Sequence, residues 1–211
     1  MANEKELLES SNPADVSKVL KAKKWPPLQR LIYAKKVTIA YLKSALEETL
    51  ILPEEVTATH IAKFNLPELN LSFKGLERLP SEVGSLTQLQ NLELFGNKLS
   101  DLPYAISNLT KLSTLGLWYN QFQEVPKELF QLTNLTALDL FENQLESIPS
   151  EIGKLTKLTN LDLGNNQIRH LPAEIENLTE LRLLNLFMNP ISKEEIARVE
   201  AMFPGCIVIY E

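Results

Sequence analysis

Cut every 23 residues, the stretch 89–157 reads LQNLELFGNKLSDLPYAISNLTK (89–111), LSTLGLWYNQFQEVPKELFQLTN (112–134) and LTALDLFENQLESIPSEIGKLTK (135–157). Self-similarity at a fixed period marks one structural unit used repeatedly, so these rows are read together rather than as separate segments. The frame extends in both directions. Six rows open on Leu66, Leu89, Leu112, Leu135, Leu158 and Leu181, and their fourth and sixth places are all leucine, from Leu69 and Leu71 to Leu184 and Leu186. The ninth place holds Asn97, Asn120, Asn143, Asn166 and Asn189, with Lys74 in the first row. An LP-like pair closes five rows, from Leu79-Pro80 to Leu171-Pro172, and Val83, Ile106, Leu129, Ile152 and Ile175 follow it.

Each column has a physical reason. In a short strand, places 4 and 6 point to one face and places 3, 5 and 7 to the other. Stacked rows bury the leucine columns against the apolar residues after each proline, which no single row achieves alone. The asparagine sits where the chain leaves the strand, and its amide has the donors and the acceptor to satisfy backbone groups that the turn buries. Each proline lacks a donor and starts a return segment, extended or a single helical turn.

The resulting motif, LxxLxLxxNxLxxLPxxIxxL over residues 66–191, resembles the leucine-rich-repeat family, in particular its 23-residue LPxxI type common in bacterial proteins. The resemblance implies an α/β fold, a right-handed solenoid with a parallel sheet on its concave side. Enzymatic relatives in the family, such as bacterial effectors with ubiquitin-ligase activity, carry catalysis in an additional domain, which is not expected here.

A solenoid exposes its core at both ends, and both ends of the chain leave the repeat. At residues 192–211 a C-terminal cap is expected. Ser192 is placed to cap a helix with Glu195 three residues on, Ile196, Val199 and Met202 or Phe203 form its apolar stripe, and Pro204-Gly205 stops it. Ile207 and Ile209 fall 23 residues after Leu184 and Leu186, which predicts a seventh strand with these isoleucines in the leucine columns. Residues 1–64 carry no repeat. They are read as an N-terminal helical cap, with one helix from Asn12-Pro13, a break at Trp25-Pro26-Pro27 and a second helix over 28–50. The repeat domain is then 65–191. Residues 1–50 hold nine Lys or Arg and six acids, a net of +3, against 12 and 21, a net of −9, in 51–211. The basic segment reads as a solvated helical cap or, alternatively, as an arm by which a bacterial effector or enzyme regulator recruits a second component.

Composition narrows the function. The chain of 211 residues is 44% hydrophobic and 23% charged, ordinary for a globular protein. Its net charge of −6 argues against nucleic acid as a partner. There is no basic start leading into an apolar run and no apolar stretch long enough to span a bilayer, so a cytoplasmic location is expected, with export by a route needing no cleaved signal left open. One cysteine, Cys206, and two histidines, His60 and His170, are too few for an internal disulfide or a closed zinc site. No phosphate-cradling glycine motif occurs. No catalytic residue, cofactor or metal is expected.

The places the core does not use carry the candidate site. Place 7 reads Ser72, Phe95, Trp118, Phe141, Gly164, Phe187, and place 8 reads Phe73, Gly96, Tyr119, Glu142, Asn165, Met188. Place 5 reads Asn70, Glu93, Gly116, Asp139, Asp162, Asn185. The concave face is therefore expected to present Phe73, Phe95, Trp118, Tyr119, Phe141, Phe187 and Met188 beside Glu93, Asp139, Glu142 and Asp162. Aromatics within reach of water and flanked by polar groups have the composition of protein-binding hot spots, while rings one row apart also stack on one another for stability. The expected partner is a protein with a basic and apolar surface, bound by a monomer.

Overall fold

The computed structural model describes residues 67–79 and 81–210. The expected N-terminal helices, the basic segment, Trp25 and His60 lie outside them.

Each row contributes a three-residue strand: β1 Glu68–Asn70, β2 Asn91–Glu93, β3 Thr114–Gly116, β4 Ala137–Asp139, β5 Asn160–Asp162 and β6 Leu183–Asn185. With β7, Ile207–Ile209, they form one parallel sheet in sequence order. From β1 to β6 every register pair is 23 residues apart, as in Leu69↔Leu92 and Leu138↔Leu161. Parallel neighbours need a crossover, and here it is a five-residue 3-10 helix. Four such helices, from Tyr104–Asn108 to Ala173–Asn177, start directly after Pro103, Pro126, Pro149 and Pro172. The proline supplies the extended residue before the helix, where a backbone donor is not needed.

The core lies between strands and return segments. The place-4 and place-6 leucines, the Val83–Ile175 column and the leucines that open rows 2 to 6 are buried, most of them completely. At about 1.5–3 kcal/mol per fully buried aliphatic side chain, each row is stabilised chiefly by its neighbours. The asparagines form a ladder through this core. Asn143 Nδ2 donates to Leu117 O (3.1 Å) and Leu140 O (3.1 Å), and its Oδ1 accepts from Phe122 N (3.1 Å). Asn97 likewise accepts from Lys74 N and Leu76 N at 3.0 Å. Each asparagine thus closes the turn of the row before it.

At the end of the stack, α1 spans Lys193–Met202. Ser192 caps it as expected, accepting from Glu195 N. Glu195, by contrast, does not complete a reciprocal capping box. Its carboxylate accepts from Leu171 N (2.8 Å) and pairs with Arg198, whose guanidinium also donates to Leu171 O (2.7 Å). Two side chains of α1 therefore tie down the backbone of the fifth row's turn.

The register of β7 corrects the expectation. Ile207 pairs with Leu183 and Val208 with Leu184, an offset of 24. Val208 therefore continues the leucine column, while Ile207 (65% exposed) and Ile209 (38%) project from the other face. A slip of one residue moves every side chain to the opposite face. The helix that precedes β7 is not a repeat segment, so nothing obliges the count to remain 23.

Candidate functional site

The sheet face turned away from the core is built from places 3, 5 and 7. Place 5 carries a recurring local bond. Asn70, Asp139, Asp162 and Asn185 each use Oδ1 to accept the N–H two residues on, from Ser72, Phe141, Gly164 and Phe187, at 2.9–3.0 Å. The bond needs an acceptor, and the asparagines show that it does not need a charge.

The charge is nonetheless present on consecutive rows. Asp139 and Asp162 are register partners on β4 and β5, where strand spacing brings equivalent residues to about 5 Å. Burial, with Asp162 alongside, pushes the Asp139 carboxyl up to about 6 despite the Phe141 N–H that favours its ionised form. Burial and Asp139 also raise Glu93. Asp162 Oδ2 accepts from Asn185 Nδ2 at 3.1 Å. The ion pairs between described residues lie elsewhere, where Glu195 meets Arg198 and His170. Glu93, Asp139 and Asp162 have no cationic side chain among the described residues to neutralise them.

Beside these acids stand the rings. Phe95 and Trp118 stack with centroids 4.6 Å apart and planes 15° off parallel. Phe73 meets both edge-on, at 5.1 and 6.5 Å, and Tyr119 is tilted against Trp118 at 6.5 Å. Phe95 and Trp118 are half-buried, while Phe73 and Tyr119 are 64% and 51% exposed. The rings are thus mutually supported and still meet solvent. Phe141 and Phe187, also half-buried, belong to no such cluster among the described residues. Met188 is 61% exposed, and Glu142 is half-buried next to Phe141 in the chain.

Glycines arrange this face in a way that column reading missed. The Phe73 ring lies across Gly96, the Glu93 carboxylate across Gly116 and the Phe141 ring across Gly164, in each case where a β-carbon would collide. A side chain of one row leans over the next because the next has none. The available signal was a glycine at a face position exactly one row after a large side chain, as in Phe141 and Gly164. Ile207 and Ile209, missed through the register, add an apolar patch beside Leu183 at the far end.

Among the described residues no set of three or more His, Cys, Asp or Glu is placed to hold a metal ion, and no helix is long and apolar enough to cross a membrane. His170 is largely exposed, and burial raises the Cys206 thiol, which keeps it protonated at neutral pH. A hollow of about 370 Å³ beside the last row's turn, lined by Leu186, Asn189, Ile191, Ile196 and Tyr210, contains no member of the acidic or aromatic columns.

Parallel strands in unbroken sequence order, an asparagine in five of the six turns and a proline-led return define a solenoid repeat protein that displays side chains from an open sheet. The repeats are those of the leucine-rich-repeat family: the model of a leucine-rich repeat region matches residues 106–201. A leucine-rich-repeat protein of Leptospira interrogans is 42% identical over 71% of this chain, with a TM-score of 0.67. An internalin of Listeria monocytogenes is 26% identical over 72% of the chain, TM-score 0.58, and a TDR receptor matches with the same three values. The chain spans only 38%, 45% and 27% of the lengths of these three proteins. Comparison with curated protein sequences finds no match.

Proposed function

We propose that this leucine-rich-repeat chain is a non-enzymatic binding module that takes a protein with cationic and apolar side chains on the concave face of its sheet. The Phe73, Phe95, Trp118 and Tyr119 cluster buries apolar area of the partner, with Phe141, Phe187 and Met188 extending the contact. Glu93, Asp139, Glu142 and Asp162 select for Lys or Arg. Because the surface is preformed, association costs little ordering.

One observation carries this reading. Rows 1 and 6 make the place-5 turn with Asn70 and Asn185, whereas rows 4 and 5 make the same bond with Asp139 and Asp162 at the expense of two adjacent, half-buried, unneutralised charges. The fold accepts the neutral residue, so the negative charge has another use. A bound cation on a partner supplies what the chain lacks.

The test is affinity capture from the source cell with wild type and the Asp139→Asn/Asp162→Asn double variant side by side. The reading expects a discrete protein retained by wild type, lost from the variant and released from wild type by raised salt. Equal retention by both proteins would refute it.

A further inference from the structure

The eighth place of every row is left-handed. Phe73, Gly96, Tyr119, Glu142, Asn165 and Met188 have φ between 51° and 66°. A bond between rows accompanies this conformation. From row 1 to row 5 the N–H of this residue donates to the place-7 carbonyl of the next row, as in Tyr119 N to Phe141 O (2.9 Å) and Asn165 N to Phe187 O (2.7 Å). A β-carbon is disfavoured there, and only Gly, with Asn and Asp behind it, enters the region readily. Gly96 and Asn165 are the residues this backbone prefers. Phe73, Tyr119 and Met188 are not, and they are large, apolar and more than half exposed. Neither core packing nor backbone preference accounts for them, and residues held in disfavoured conformations concentrate at functional sites.

Resting on the binding reading above, we infer that Phe73, Tyr119 and Met188 are the residues that set partner selection, kept at left-handed positions against the stability of the solenoid. They line one flank of a face whose other flank holds Glu93, Asp139 and Asp162. That pairing fits an extended partner segment in which cationic residues alternate with large apolar ones, since alternate side chains of an extended chain point to opposite sides. Charge complementarity with the unneutralised carboxylates fixes the sign of the partner.

The experiment uses the full chain, thermal unfolding, and a fluorescent peptide of alternating lysine and leucine, with an alternating glutamate and leucine peptide as control. Tyr119→Asn and Met188→Asn together are expected to raise the melting midpoint by about 2–4 °C and to weaken the lysine–leucine peptide at least tenfold. The reverse exchange, Asn165→Tyr, is expected to lower the midpoint. A lower midpoint in the double Asn variant would show that these side chains serve stability and would overturn the inference. Unchanged peptide affinity in that variant, with binding still lost in Asp139→Asn/Asp162→Asn, would overturn it while sparing the binding reading. Failure of wild type to prefer the lysine–leucine peptide would overturn both.

Discussion

Asp139 and Asp162 face each other as register partners on neighbouring strands, each accepting the N–H two residues further on. The same bond is made by Asn70 and Asn185 elsewhere in the stack. Because the rows repeat, each serves as a control for the others: what one row does with a neutral side chain, another does not need a charge to do.

A pH dependence follows. The folded-state value of Asp139, raised to about 6, lies above the value of about 3.9 for an unperturbed Asp. At this residue the folded chain therefore binds more protons than the unfolded chain between these values, and its contribution to stability increases as pH falls from 7 towards 4. Since the group is partly open to water, its effect is on the order of 1–2 kcal/mol. Asp139→Asn is expected to raise the melting midpoint at pH 7 and to flatten its rise on acidification. A lowered midpoint at pH 7 would show that the carboxylate stabilises the fold.

The asparagine ladder makes the opposite kind of prediction. Asn143→Ala leaves Phe122 N without its partner inside the core, while Leu117 O and Leu140 O each lose one of two donors and keep the other, from Asn120 and Asn166. Loss of one buried polar partner costs about 1–3 kcal/mol, and here one donor, Phe122 N, is left without one. Urea unfolding is expected to show a loss of about 1–3 kcal/mol, against less than about 0.5 kcal/mol for exposed Gln144→Ala.

The register of β7 is testable by charge. Val208 continues the leucine column and Ile207 faces solvent, so Val208→Asp is expected to destabilise by more than about 1 kcal/mol and Ile207→Asp hardly at all. The pairing offset of 23 would reverse that order in the same urea measurement.

Two glycines separate rigid from yielding contacts. A β-carbon at Gly153 would come to 2.6 Å from the Glu174 backbone oxygen, whereas at Gly116 it would meet the end of the flexible Glu93 side chain. Gly153→Ala is expected to cost about 1–3 kcal/mol and Gly116→Ala much less, read by thermal unfolding. Equal losses would mean that Glu93 is as fixed as the backbone.

Periodicity made most of the fold legible, because burial, turn closure and chain return each recur at a place that one residue type suits. It failed at β7, where Ile207, Val208, Ile209 and Tyr210 are all apolar and no alternation tells one face from the other. The columns of the site were also readable, since Phe95, Trp118 and Asp139 occupy places the core does not require. How those side chains meet was not, because stacking depends on which way a ring leans. That direction is set by neighbours such as Gly96 and Gly164, whose effect appears only in three dimensions. The left-handed backbone under Tyr119 and Met188 escaped for a related reason: Gly96 and Asn165 hint at it, but the bulky residues in the same column conceal it.

The central claim is that the open sheet face binds a partner through charges the fold does not need. Its most direct test is calorimetric titration of the captured partner into wild type and into Asp139→Asn/Asp162→Asn, at low and high salt. The account predicts at least a tenfold weaker complex for the variant, a smaller salt dependence, and a melting midpoint no lower than that of wild type. Equal affinity and equal salt dependence in a well-folded variant would contradict it.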